Sequence, residues 1–129
     1  MTEAKRDVLK KRVLVVDDER EIRDVLYELL TLEGFEVKTA TNGVMALTEL
    51  LKDPYDLLIT DLNMPQMNGL ELVERIHREK LGIPMIMMSS LIAQVSKEYV
   101  RERGVSICIS KPFRFQEFTD AVKDGLGAN

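Results

Sequence analysis

Val13-Leu14-Val15-Val16-Asp17-Asp18-Glu19 places an unbroken apolar run, β-branched at three of its four positions, directly against three carboxylates. Such a run suits a strand covered on both faces, as in a parallel sheet. A helix pattern follows from about Glu19 to Glu33, with Ile22, Val25, Leu26, Leu29 and Leu30 at helical spacing and Gly34 placed to end it. Outward from this unit the alternation recurs. Phe35 to Thr39 alternates apolar and polar residues as an edge strand does, and Asn42 to Leu51 is expected to turn Val44, Leu47, Leu50 and Leu51 inward. Asp53-Pro54 precedes the strand Leu57-Leu58-Ile59, and a loop from Asn63 to Gly69 leads into a helix carrying Leu72, Val73 and Ile76. Pro84 opens the strand Met85-Ile86-Met87-Met88, and a charged helix with Val95, Tyr99 and Val100 inward ends at Gly104. Val105 to Ile109 is the last strand, and Phe115, Phe118, Val122 and Leu126 mark the last helix.

Strands that alternate with helices through short connections pair in parallel through right-handed crossovers. Five such units without a Gly-rich first turn favour a flavodoxin-like (βα)5 doubly wound α/β fold, with strand order 2-1-3-4-5. One domain is expected over residues 12–127, behind a charged extension at 1–11 and with no output domain after it. Strands one and three are then neighbours, and ligands bind beyond the carboxyl ends of the strands.

Composition narrows the function. At 129 residues, 45% hydrophobic and 31% charged, the chain suits one domain with a sizeable core. A net charge of −4, from 18 basic and 22 acidic residues, gives no general attraction to nucleic acid. The basic cluster Lys10, Lys11 and Arg12, beside Lys5 and Arg6, reads as a solvated extension. No apolar run approaches a membrane span, and Met1 to Arg12 lacks the apolar stretch of a secretory signal. A single cysteine, Cys108, forms no internal disulfide and fits a reducing compartment, so a cytoplasmic location is expected.

Each strand carries chemistry at its C-terminal end: Asp17-Asp18 on the first, Asp61 on the third, Ser89-Ser90 on the fourth and Lys111-Pro112 on the fifth. Crowded carboxylates repel and titrate together unless a positive charge compensates. Mg2+, with its preference for hard oxygens, suits that place. A carboxylate nucleophile, a divalent cation, the Lys111 ammonium and the Ser89 hydroxyl make a site for a phosphoryl group. Taken singly, Asp18 would cap the first helix with Glu21 as its capping-box partner, and Asp61 would be a turn residue. His77 falls on the third helix, away from this edge, and Met85, Met87 and Met88 read as core.

The segments Val13 to Glu19, Thr60 to Gly69, Met88-Ser89-Ser90 and Ser110-Lys111-Pro112-Phe113 together resemble the receiver domain of bacterial two-component response regulators, from about Lys11 to about Leu126. The resemblance implies that Asp61 is the phosphoacceptor, taking a phosphoryl group from a phosphohistidine. It implies that Mg2+ is held by Asp17, Asp18, Asp61 and the backbone carbonyl of Asn63. Lys111 would pair with the phosphoryl group, Ser89 would swing toward it, and the Lys111-Pro112 bond would be cis. Met64 and Met67 would pack beneath the loop. The implied partners are a sensor histidine kinase or histidine phosphotransfer protein and a downstream protein. The latter would read helix four, strand five and helix five near Phe113, Phe115 and Tyr99. Three residues before Lys111, where that family usually carries Tyr or Phe, stands Cys108. Switching is therefore expected to run from Ser89 through the loop Ser90 to Ala93 into the next helix, without a rotating ring.

A stand-alone receiver and one excised from a longer regulator read alike in this sequence. An aspartyl-phosphate phosphohydrolase would need an acid two residues after Asp61, where Asn63 stands. A flavin-binding module would need a hydroxyl- and glycine-rich loop where Asp17-Asp18-Glu19 stands. The expected role is therefore a phosphoacceptor signalling module without a separate turnover substrate.

Overall fold

A computed structural model describes residues 10–127 of the chain. The extension at 1–11 thus lies outside the described residues apart from Lys10 and Lys11. Five strands, β1 (Arg12–Val16), β2 (Glu36–Ala40), β3 (Leu57–Asp61), β4 (Met85–Ser89) and β5 (Val105–Ser110), form one parallel sheet in the order β2-β1-β3-β4-β5. Between and after them run α1 (Arg20–Leu32), α2 (Gly43–Lys52), α3 (Gly69–Arg78), α4 (Lys97–Arg101) and α5 (Phe115–Gly125), with a 3-10 turn at Ile92–Gln94. The expected fold and strand order are those found.

Alternation along the inner strands sends neighbouring side chains to opposite faces. Leu14, Val16, Leu58, Met85 and Met87 meet α2, α3 and α4 on one side. Val13, Val15, Leu57, Ile59, Ile86 and Met88 meet α1 and α5 on the other. Because β1, β3 and β4 are covered on both faces, their central residues Val13 to Val16, Leu57 to Ile59 and Met85 to Met88 are all apolar and buried, and the chemistry begins just beyond these runs.

Two helix faces differ from expectation. On α2 the inward row is Gly43, Ala46, Leu47 and Leu50, while Val44 and Leu51 are 47% and 54% exposed. Gly43 sets this rotation: a Cβ there would stand 2.6 Å from the Met67 carbonyl oxygen, so only glycine lets the first turn of α2 reach the β3–α3 loop. On α1, Leu26 and Leu30 are buried and Val25 faces outward. Asn42 caps α2 through the Met45 amide, and Asn68 and Glu71 form a reciprocal capping box on α3.

Gly69 closes the loop that follows β3. Its N–H donates to the Leu62 carbonyl, and a Cβ at this position would meet the Asp61 carbonyl oxygen at 2.4 Å and the Leu62 Cα at 2.9 Å. Both contacts are backbone and cannot rotate away. Gly69→Ala is expected to cost about 1–3 kcal/mol in chemical denaturation and to shift the amide resonances of residues 61–63. A wild-type midpoint with unmoved resonances would show that the loop has slack that this packing denies.

Candidate functional site

The carboxyl end of the sheet gathers the residues singled out above. Val16 pairs with Thr60 in the β1–β3 register, so Asp17 and Asp61 leave adjacent strands side by side. Asp17, Asp18 and Asp61 each bring a carboxylate oxygen within 4.8 Å of the others. From the end of β5, the Lys111 Nζ lies 2.8 Å from Asp17 Oδ2, 3.4 Å from Asp61 Oδ1 and 3.8 Å from Glu19 Oε1. The Lys111-Pro112 peptide bond is cis. Above these groups opens a cleft of about 260 Å3 lined by Asp18, Glu19, Asp61, Asn63, Ser90 and Lys111.

The three aspartates occupy different environments. Asp17 is fully buried and matched at every oxygen: the Glu19 amide donates to Oδ1, Lys111 to Oδ2 and the Arg23 guanidinium to its carbonyl. Asp18 is exposed at the mouth. It does not take the capping role it could have had singly: Glu19 is the cap residue of α1, makes no side-chain cap bond, and donates its amide to Asp17 instead. One residue of register thus leaves the Asp18 carboxylate facing the cleft's lining.

Asp61 is 5% exposed. Burial, then the charge of Asp17, push its carboxyl up to about 6, and Lys111 and the Leu62 amide hold it from going higher. For Lys111, burial works against the charged form, but the hydrogen bond and charge of Asp17, followed by those of Asp61, raise its pKa above the usual lysine value. The ammonium is thus a fixed charge in a site of excess negative charge.

Ser89 lies where expected, at the end of β4, yet its side chain is fully buried and its Oγ accepts the Leu91 N–H at 2.8 Å. Ser90, not Ser89, lines the cleft in this arrangement. Asn63 is exposed at the cleft and Met64 is buried beneath the loop, while His77 is exposed on α3 away from the site. Glu19, the third carboxylate of the run after β1, also lines the cleft. Two contributors escaped sequence reading: Thr60 donates its hydroxyl to the Asp61 carbonyl, and Arg23 holds Asp17 from the second turn of α1. Arg23 left a faint signal, an arginine six residues after Asp17, but it does not stand out among the charges of α1.

Residues 13–123 match the response regulator receiver domain family. The chain belongs to that family. Receivers are phosphoacceptors rather than enzymes with a separate substrate, and they interact with sensor histidine kinases and downstream effectors. This receiver is 36% identical over 112 residues to a transcriptional regulatory protein CpxR homolog of Haemophilus influenzae, covering 87% of this chain and 48% of that protein. It is 36% identical over 114 residues to the sensor histidine kinase RcsC of Salmonella typhi, covering 88% of this chain and 12% of that protein. The chain therefore spans about half the length of the first and about an eighth of the second. Among solved structures, it superposes on the response regulator TrrA of Thermotoga maritima, in complex with Mg(2+)-BeF, with a TM-score of 0.80 at 36% identity, covering 89% of this chain and 98% of that one. A CheY-like receiver of Methanospirillum hungatei gives 0.82 at 29% identity, covering 92% and 94%. The acidic pocket of Asp17, Asp18 and Asp61 is of the kind that binds Mg2+ and a phosphoryl group in this family.

The raised Asp61 carboxyl has a consequence for stability. Between the ordinary carboxylate pKa and about 6, the folded receiver holds a proton that the unfolded chain has already lost, so stability falls as pH rises through about 6. In EDTA, Asp61→Asn is expected to stabilise the protein by roughly 1–3 kcal/mol at pH 7.5, with the gain shrinking toward pH 4. Urea denaturation across that range checks it, and a gain that grows on acidification would reverse the sign of the account.

Proposed function

We propose that Asp61 is the phosphoacceptor of this receiver and that Asp17, Asp18, Asp61 and the Asn63 backbone carbonyl hold Mg2+. The observation that carries the reading is the Lys111 ammonium shared between buried Asp17 and Asp61 beneath a cleft wide enough for a phosphoryl group. The donor set fits Mg2+, being all hard oxygen, with the three carboxylates clustered within 4.8 Å and short of positive charge by more than one lysine supplies. When bound, the cation would neutralise charge on the phosphoryl oxygens.

The residues of this chain do the rest. An Asp61 oxygen attacks the phosphorus of a phosphohistidine, forming a P–O bond as the P–N bond breaks and its electron pair leaves with the imidazole. A carboxyl with pKa about 6 is mostly ionised at neutral pH and remains a competent nucleophile. Lys111 pairs with a phosphoryl oxygen, a short move from its present place between the two carboxylates. Ser89 bonds a second oxygen once its hydroxyl turns away from the Leu91 amide. Asp17 stays beneath the cleft, fixed by Glu19 and Arg23.

The proposed donor is a sensor histidine kinase or histidine phosphotransfer protein in the cytoplasm. The proposed reader is a downstream protein at α4, β5 and α5, with no direct role for nucleic acid. No helix among the described residues is long and apolar enough to cross a membrane. A phosphohydrolase reading finds no support, because exposed Asn63 carries an amide where that chemistry needs an acid.

Intact mass after incubation with Mg2+ and acetyl phosphate tests the proposal. One phosphoryl adduct is expected, absent in EDTA and in Asp61→Asn, and formed roughly 10²-fold more slowly in Lys111→Met. An adduct that survives Asp61→Asn, or forms equally without Mg2+, would overturn it.

A further inference from the structure

Between the candidate site and α4 the chain is held by a succession of short-range hydrogen bonds. Ser89 Oγ accepts from the Leu91 amide, the Leu91 carbonyl from Gln94, the Ile92 carbonyl from Val95, and Ser96 Oγ from the Tyr99 amide. The series ends on a helix of five residues, Lys97–Arg101, too short to persist by its own backbone bonding. Something outside α4 must hold it.

Val100 anchors its inner face in the core, and Tyr99 packs beside it, half-buried. The Tyr99 hydroxyl donates to Glu74 on α3. The Arg103 guanidinium lies 3.6 Å from the centroid of the Tyr99 ring and donates to the Tyr99 carbonyl at 2.9 Å. Amide, carbonyl, ring and hydroxyl of one residue are thus all engaged. On the opposite flank α4 packs on β5. Cys108, half-buried and within reach of the charges of Lys97 and Arg101, is a small side chain with no ring to wedge the helix. A groove lined by Leu62, Asn63, Leu91, Val95, Ser96 and Tyr99 leaves open space of about 480 Å3 between the β3–α3 loop and α4. The segment therefore has somewhere to move, and the bond from Tyr99 to Glu74 ties it to α3.

We propose that Tyr99, Glu74 and Arg103 form a latch that holds residues 91–101 against α3 in the unphosphorylated protein. The strength of the latch sets how far a phosphoryl group at Asp61 can displace α4. This rests on the reading of Asp61 and Ser89 given above. Turning Ser89 Oγ toward the phosphoryl group removes the acceptor of the Leu91 amide, and the freed segment pulls on Tyr99. A ligand shifts two conformations only by its differential interaction with them, so a weaker latch gives the displaced form a larger share before phosphorylation.

Hydrogen–deuterium exchange on the full unphosphorylated chain tests the latch without needing Asp61 chemistry. Tyr99→Phe keeps the ring beneath Arg103 and removes only the hydroxyl, and Glu74→Gln removes the charge it meets. Each is expected to speed exchange of amides 91–101 by roughly three- to tenfold, the size expected from one hydrogen bond of ordinary net strength, while α3 and the sheet exchange as in the wild type. The double variant is expected to exchange no faster than either single one. Unchanged exchange at 91–101, equal loosening of α3, or a double variant at the product of the two singles would overturn the latch. Mg2+ and acetyl phosphate added to the wild type should bring amides 91–101 toward the Tyr99→Phe rate. An Asp61 adduct with those amides unmoved would also overturn it. A missing adduct would instead count against Asp61 as phosphoacceptor and leave the comparison of the unphosphorylated variants to judge the latch.

Discussion

The ammonium of Lys111, 2.8 Å from Asp17 and 3.4 Å from Asp61, is the interaction on which the carboxyl end of this sheet depends. Removing one partner from a buried ion pair leaves an uncompensated charge, which is far costlier than never having had the pair. Asp17 is completely buried, and Asp61 nearly so, because β1 and β3 run side by side and both end at the same level. One lysine from β5, at the far edge of the sheet, spans the gap. The topology thus sets the charge problem and also delivers part of its answer.

That answer is incomplete in a useful way. One positive charge faces Asp17, Asp61 and the nearby carboxylates of Asp18 and Glu19, and burial, followed by the charge of Asp17, makes Asp61 hold its proton more tightly than an ordinary carboxyl. A site tuned for stability would carry fewer acids or more cations. Sites that bind charged ligands commonly give up stability in this manner. The excess negative charge attracts a cation, and the lysine remains to meet an incoming anion.

Much of this was legible in the sequence because parallel strands must be apolar on both faces. Val13 to Val16, Leu57 to Ile59 and Met85 to Met88 announce themselves, and the polar residue ending each run is then placed by topology alone. Helix faces were harder. Val44 and Leu51 look as apolar as Leu47, and only the close approach of Gly43 to Met67 rotates α2 to expose them. The cap of α1 was not decided by the sequence, because Asp18 and Glu19 compete for the same place and the outcome turns on the Asp17 side chain. The inward pose of the Ser89 hydroxyl and the hold of Arg23 on Asp17 depend on loop geometry and side-chain direction, which spacing does not encode.

The central claim, that these acids form a cation site whose charge Lys111 compensates in part, is tested most directly by Mg2+ titration followed through amide resonances. Saturable shifts centred on Asp17, Asp18, Asp61 and Asn63 are expected, with several-fold tighter binding in Lys111→Met because a competing positive charge is gone. Shifts scattered over other acidic surfaces, or an affinity unchanged or weakened by Lys111→Met, would contradict it.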